Sequence, residues 1–196
     1  MSFTVESISR KIRKHSDSKF NDTNIEHLKN GQLPAAVLIP LAECNQKPVL
    51  IYTRRSENLP THRGQVSFPG GLIEERDNSP LDAALRETCE EINIPQQQID
   101  VIGDLPPFDS QTGYFVNPFI GVVHDLNDLR KDGVEVERIF CIPVSWLADP
   151  KHSRLEEFKA PDGSIHRVWF FDKYENETLW GISAKITKDF LEIIKE

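Results

Sequence analysis

The sequence predicts an α/β fold of the α+β kind, in which a mixed β-sheet is sandwiched between α-helices. Three observations predict it. Short apolar, β-branched runs recur between residues 34 and 171, a well-capped amphipathic helix interrupts them near residue 80, and a run with helical spacing closes the chain. Residues 1–30 read as a helical N-terminal arm, with Phe3, Ile8 and Ile12 near one face, the polar stretch HSDSKFNDTN interrupting it, and Asn30-Gly31 as a stop signal. AAVLIPL and PVLIYT follow as two strands, joined through the turn-like segment AECNQK into a hairpin. RRSENLPTHRGQVSFPGG is rich in loop residues and carries a short strand, VSF, closed by Pro69-Gly70-Gly71. Beyond the helix, IDVIGDL, YFVNPFIGVV, ERIFCIPV and IHRVWFF are four more strands, and ISAKITKDFLEIIKE is the terminal helix. No internal repeat or domain-separating linker interrupts the pattern, so one domain over residues 1–196 is expected.

Composition narrows the function. With 38% hydrophobic residues, 11 Phe and 3 Trp, the chain has the apolar anchors of a globular core and not the composition of a disordered segment. A formal net charge of -8 argues against a surface that neutralises many phosphates, so no nucleic-acid partner is expected. Cys44, Cys89 and Cys141 are odd in number and widely spaced, which suggests neither a disulfide framework nor a zinc site and fits a reducing cytoplasm. The N-terminus lacks the apolar stretch of a signal peptide. The longest charge-free runs, Asn30 to Ala42 and Ser110 to His124, are too short and too punctuated to span a bilayer, so no membrane role is expected.

The segment from Gly70 to Ile94 carries the chemistry. Ser79 suits an N-cap, Pro80 the first helical position, and Asp82 completes a capping-box-like arrangement. At 100° per residue Leu81, Leu85, Thr88 and Ile92 share a narrow arc, whereas Glu87, Glu90 and Glu91 cluster on another, roughly 140° away. One face is thus expected to pack and the other to offer three carboxylates. Like charges at these spacings repel by a few tenths of a kcal/mol per pair, so the cluster is mildly unfavourable unless a cation binds it. The preceding Gly70-Gly71 lets backbone approach an anionic ligand closely. A solvated acidic helix face is the alternative reading of the glutamates alone.

Arg86-Glu87-x-x-Glu90-Glu91, preceded by a glycine, resembles the signature of the Nudix hydrolases, usually G-x5-E-x7-R-E-U-x-E-E-x-G-U. Between Gly71 and Arg86 there is one residue more than usual, Asn78 stands in the slot of the first Glu with Asp77 one step earlier, and Asn93 replaces the closing Gly. A one-residue insertion with Asp77 in the acidic slot reconciles the spacing, and Asn tolerates the left-handed conformation that ends a helix. The resemblance implies that Glu87 and Glu91 hold Mg²⁺ or Mn²⁺, that Glu90 is a ligand or orients the attacking water, and that Arg86 braces the carboxylates.

Upstream, IYTRRSENLPTHRGQVSFPGG is similar to the extra motif of the coenzyme A pyrophosphatases within that family. Thr53, Arg55, Ser56, Gly64 and Phe68 to Gly71 fall on its fixed positions, while Pro60 stands where the motif has Arg. LPPFDSQTGYFVNPFIG also looks like the corresponding stretch of that subfamily. The resemblance implies hydrolysis of coenzyme A to 4'-phosphopantetheine and adenosine 3',5'-bisphosphate, with Arg55, Ser56, Arg63, Gly70 and Gly71 at the substrate. Charge agrees: residues 74–91 hold seven acids and two bases, net -5, while residues 51–68 hold three arginines and one glutamate, net +2. Arginine suits a phosphate collar because its planar fork pairs bidentately. Another nucleoside diphosphate derivative, such as ADP-ribose or a dinucleotide, is the alternative substrate, and a non-catalytic Nudix-fold binding protein the rival from another class. Glu135 reads as an exposed strand-edge residue or as a late carboxylate over the site. His62, His124 and His166 read as structural or solvated, Cys89 as a small buried hydrophobe, and SQTGY as a turn.

Overall fold

In the computed structural model, which describes residues 3–16, 31–59, 62–159 and 163–195, the two apolar runs pair as the expected antiparallel hairpin, β1 (Leu33–Cys44) and β2 (Lys47–Arg55). Its turn is tighter than the sequence suggested. Only Asn45 and Gln46 lie outside the strands, with φ of 48° and 61°, the two-residue geometry whose twist matches that of paired strands.

Six further strands complete the sheet: β3 (Val66–Ser67), β4 (Gly70–Leu72), β5 (Ile99–Asp104), β6 (Phe108–Asp109), β7 (Tyr114–Val123) and β8 (Val136–Pro143). The order is β3-β2-β1-β7-β5, with β4 added to β1, β6 to β7 and β8 to β2. β1 runs parallel to β7, from Leu33 opposite Tyr114 to Leu41 opposite Val122, and the other pairings are antiparallel, so the sheet is mixed as expected. β1 is apolar on both faces because both are covered. Ile39 and Leu41 share a core with Ile8 and Ile12 of α1 (Val5–His15) and Ile186 and Phe190 of α4 (Gly181–Lys195). Ala36, Leu38 and Ala42 share the other core with Ala83, Ala84 and Leu85 of α2 (Pro80–Ile92).

α1 starts at a reciprocal capping box between Thr4 and Ser7, and residues 17–30 of the expected arm lie outside the described residues. The hairpin of β9 (Ser153–Lys159) and β10 (Ile165–Phe171) forms a separate two-stranded sheet, and the one-turn α3 (Val144–Leu147) follows β8. β4, β6, β9 and α3 escaped the sequence reading. Three are too short to show a period, and β9, SRLEEFK, is mostly exposed and carries charges that mask its alternation. Among the described residues, no helix is long and apolar enough to cross a membrane.

The buried face of α2 differs from expectation. Leu85, Thr88 and Ile92 are buried as expected and Leu81 is only partly covered, but Pro80, Ala83, Ala84 and Glu91 complete the face. Its centre is displaced roughly 70° from the leucine-weighted arc, at 100° per residue. Ala83 and Ala84, having little side chain, let the helix settle closely on β1, and this rolls Glu91 inward and Cys89 outward. Cys89 is exposed, not the buried hydrophobe expected.

Candidate active site

The strand-to-helix connection that carries the glutamates is set by two glycines with different reasons for being glycine. Gly70 has a φ of 153°, and a Cβ there would clash with the Ala36 carbonyl and Val37 of β1. At Gly71, a Cβ would meet the Glu87 carboxylate, 2.5 Å from Oε1 and 2.6 Å from Cδ. The glutamate therefore lies flat against the strand because residue 71 has no side chain. The chain then reaches Ser79, whose hydroxyl accepts the Asp82 N–H at 3.1 Å with Pro80 at the first position, so α2 begins where its sequence signals say. It ends at Asn93 in the left-handed conformation, φ 59° and ψ 32°, where the family usually has Gly.

Arg86 ties this connection together. Its Nε and Nη2 reach the two Asp77 oxygens at 2.9 and 3.0 Å, a bidentate fork, and Nη2 also donates to the Leu72 carbonyl at 3.2 Å. Nη1 donates to Glu87 Oε1 at 2.7 Å and Glu90 Oε2 at 3.2 Å. Asp77 in turn accepts the Glu74 N–H at 2.8 Å. The Arg86 hydrogen bonds, assisted by that N–H, hold the Asp77 carboxyl below the usual carboxylate range despite its burial. Asp77, the acid one step before Asn78, is thus the carboxylate that the Arg86 fork grips.

The three glutamates, expected to share one face, are not equivalent, and the alternative of a solvated acidic face does not describe Glu91. Side-chain exposure is 51% for Glu90, 17% for Glu87 and 5% for Glu91. Burial raises the Glu87 carboxyl against the opposing effect of Arg86. Burial pushes the Glu91 carboxyl up to about 8, opposed by Arg55 and a backbone hydrogen bond from Gly70 and reinforced by the charges of Glu87 and Glu135. Glu91 Oε2 is buried without a hydrogen-bond partner, an expensive condition for a carboxylate unless a cation compensates it. A hard divalent cation with oxygen ligands fits that donor set. Among the described residues no group of three His, Cys, Asp or Glu forms a ready-made metal cage, and Glu87 and Glu91 are the carboxylates that could hold such a cation, with the rest of its shell from outside the protein.

Arg55, at the end of β2, brings the upstream motif to these carboxylates. Its Nη1 is 3.9 Å from Glu91 Oε1, its Nη2 is 3.7 Å from Glu135 Oε2, and its Nε is buried without a partner. Arg54 instead pairs with Glu57, Glu137 and Glu177. Ser56 is buried, with its N–H on the Glu135 carbonyl at 2.7 Å and its hydroxyl accepting the Asn58 N–H, so it shapes the turn beneath Arg55. Arg63 is exposed and donates to the Leu59 carbonyl at 2.6 Å, without an ion pair to the glutamates. Pro60 lies outside the described residues. Glu135 is the residue the sequence undervalued: it stands beside Arg55, and its charge acts on both Glu87 and Glu91. The signal was the Asp132-Gly133 turn dipeptide just before it. His62 and His166 bond Gln65 and Ser164, and SQTGY forms the expected turn between β6 and β7.

A profile of the NUDIX domain matches residues 32–185. An "Uncharacterized Nudix hydrolase NudL" of Photorhabdus laumondii is 40% identical over 162 residues, which cover 82% of this chain and 84% of that relative. A protein of the same description from Salmonella newport is 38% identical over 184 residues, covering 92% and 94%. Among solved structures, a MutT/nudix family protein from Enterococcus faecalis aligns over 100% of this chain and 76% of its own, with a TM-score of 0.52 and 16% identity, a likeness of fold alone. The Arg86-centred glutamate cluster between strand and helix therefore sits within a matching domain and beside relatives of nearly the same length, and the chain belongs to the Nudix hydrolase family.

Proposed function

We propose that the chain hydrolyses the diphosphate of coenzyme A, or of its derivatives, to 4'-phosphopantetheine and adenosine 3',5'-bisphosphate, with Mg²⁺ or Mn²⁺ held by Glu87 and Glu91 and with Glu90 at the exposed rim. The observation that carries the reading is the position of Arg55. The fixed arginine of the coenzyme-A-type motif meets the most buried glutamate of the helix, with Nε still free of a protein partner. When bound, the metal would neutralise charge on the diphosphate and lower the pKa of a bound water. The chain does the rest. Arg86 and Asp77 hold Glu87 in place, Gly71 leaves the room in which that carboxylate lies, and the Glu91 carboxyl gives up its proton so that both glutamates are anionic. Arg55, its guanidinium set between Glu91 and Glu135, brings a planar cation beside the metal seat, where it would pair with a phosphate oxygen of the bound diphosphate. Water adds to one phosphorus, the P–O–P bond breaks, and the bridging oxygen leaves with the other phosphate.

One observation favours a second substrate within the same class. With Pro60 in the slot of a motif arginine and Arg63 turned onto a backbone carbonyl, Arg55 is the one arginine of the collar in contact with the glutamates among the described residues. This weaker collar suits a smaller demand for phosphate contacts, as in ADP-ribose or a dinucleotide. The test is metal-dependent hydrolysis of coenzyme A, dephospho-coenzyme A, ADP-ribose, NADH and diadenosine polyphosphates, with products identified by mass. Fastest turnover of coenzyme A to the two named products is expected. Far faster cleavage of ADP-ribose overturns the coenzyme A reading, and no metal-dependent cleavage of any of them favours a binding protein.

A further inference from the structure

The loop that joins β7 to β8 carries an aspartate whose carboxylate gathers backbone N–H groups. Asp132 Oδ1 accepts from Val134 at 3.1 Å, Glu135 at 3.1 Å and Val136 at 2.9 Å, and Oδ2 accepts from Glu135 again at 3.0 Å. The same loop is fastened to the C-terminal end of α2. The Asp132 N–H donates to the Glu91 carbonyl at 3.2 Å and the Arg130 N–H to the Ile92 carbonyl at 3.1 Å, two of the last-turn acceptors that a helix leaves open. Asn93 Nδ2 adds a bond to the Asp128 carbonyl at 2.9 Å. On the far side the Glu135 carbonyl accepts the Ser56 N–H at 2.7 Å. Glu135 is an exposed loop residue whose N–H and C=O are nonetheless both taken, one by Asp132 and the other by the turn after Arg55.

This arrangement has a clear beneficiary. The Glu135 carboxylate stands 3.7 Å from Arg55 Nη2, while Glu91 stands 3.9 Å from Nη1, so the guanidinium is held from two sides. An ion pair at a half-exposed position is ordinarily weak, because two mobile side chains must be ordered to form it. Fixing the backbone of one partner beforehand removes much of that cost. We infer that Asp132 is a positioning residue: by binding the N–H groups of residues 134–136 beside the end of α2, it holds Glu135 against Arg55 and so sets the guanidinium that meets the substrate's phosphate. The inference rests on the reading above, in which Arg55 binds phosphate beside Glu87 and Glu91. Burial alone would raise the Asp132 carboxyl, but the N–H groups of Glu135, Val136, Val134 and Gly133 outweigh it and lower it, so the anion that gathers them persists to acid pH.

The test is a double-mutant cycle in the full chain. Hydrolysis of coenzyme A with Mn²⁺, or of ADP-ribose where the panel finds that faster, is measured for Asp132→Ala, Glu135→Ala, the double variant and Asp132→Asn. Each alanine variant is expected to raise KM about 10-fold with kcat within about threefold, since a binding group is displaced and the metal seat is not. The double variant is expected to match the worse single one within about twofold, because Asp132 acts through Glu135. Asp132→Asn, which keeps the Oδ1 acceptor that three N–H groups share, is expected to restore KM to within about threefold of wild type. A loss in kcat alone, losses that multiply in the double variant, or an asparagine variant as impaired as the alanine one overturns the inference. If Asp132→Ala does not fold, Asp132→Ser takes its place in the cycle with the same expectations. Glu91→Gln run alongside separates the two levels. Wild-type activity in that variant defeats the site reading itself, whereas an inactive Glu91→Gln beside an unimpaired Asp132→Ala defeats only the role of Asp132.

Discussion

Replacing Glu91 by Gln tests the metal seat through stability as well as turnover. The carboxyl is almost fully buried, one oxygen has no partner, and burial lifts it to about 8 from an ordinary value of 4.5. A carboxyl raised in the folded state binds a proton that the unfolded chain releases, so in metal-free protein its contribution to stability is full below about pH 4.5. It is then lost as pH rises to about 8, at a slope of up to about 1.4 kcal/mol per pH unit, and it is flat beyond. Summed across that window the loss is at most on the order of 5 kcal/mol, a large share of the 5 to 15 kcal/mol that ordinary domains possess. Glu87, raised by the same burial, steepens the slope. Glutamine cannot ionise. Urea midpoints measured with EDTA at pH 5, 7 and 9 are expected to fall steeply in wild type and much less in Glu91→Gln, with the variant gaining on wild type as pH rises. Mg²⁺ or Mn²⁺ is expected to recover the wild-type midpoint at pH 9 and to help the variant little, because ligand bound to the native state alone stabilises it. Turnover is expected to drop about 10²-fold or more. Midpoints that run parallel in the two proteins from pH 5 to pH 9 would refute the buried carboxylate, and near-wild-type turnover at saturating Mg²⁺ would refute its role as a ligand.

Gly71→Ala inserts a methyl group against the Glu87 carboxylate, so metal-dependent turnover is expected to fall at least 10-fold while the circular dichroism spectrum stays that of wild type; unchanged turnover would mean the glutamate can relocate freely. Arg55→Ala is expected to lower kcat/KM about 10-fold to 100-fold, the scale of a charge-assisted hydrogen bond, whereas Arg54→Ala, which breaks pairs with Glu57, Glu137 and Glu177, is expected to affect the urea midpoint more than KM. Equal kinetic losses in the two variants would contradict the assignment. Leu85→Ala is expected to destabilise the fold by roughly 2 to 5 kcal/mol in urea titrations, since the side chain is buried where α2 meets the sheet; an unchanged midpoint would refute that packing. Asp77→Asn removes a carboxylate that is held below its ordinary range, a stabilisation present above about pH 4 and lost as pH falls through the depressed value. Wild-type stability is therefore expected to fall more steeply than the variant's under acid titration, and identical acid midpoints would count against the Arg86 fork.

The long strands and α2 were legible because their sequences carry local causes: β-branched runs for β1, β2 and β7, and a Ser-Pro start with an Asn stop for the helix. The glutamate motif and Arg55 were legible by resemblance, and both lie where the carboxylates gather. What remained hidden depends on contacts between distant segments. Helical periodicity weights leucines, so it gave no hint that Ala83 and Ala84 would seat the helix and carry Glu91 inward. Glu135 read as a late carboxylate over the site or, with more weight, as an exposed strand-edge acid, since its bonds to Ser56 and Asp132 join segments that only the assembled fold brings together. Arg54 and Arg55 are neighbours of the same type, and only the structure separates the one that joins the outer ion pairs from the one beside Glu91.

The parallel pairing of β1 with β7 orders events during folding. It joins Leu33 to Tyr114, positions about eighty residues apart, and the antiparallel addition of β8 to β2 comes from still later in the chain. Contacts of such separation form slowly, because a long loop must close before they are rewarded. On a ribosome the hairpin β1–β2 and helix α2 emerge well before β7, so α2 can settle on β1 while the edge of β1 that β7 will pair with still faces water. Closure of that edge is deferred until β7 arrives. Nascent chains ending shortly before residue 114 are accordingly expected to be protease-sensitive, and protection to appear as a single late step once β8 has cleared the exit tunnel.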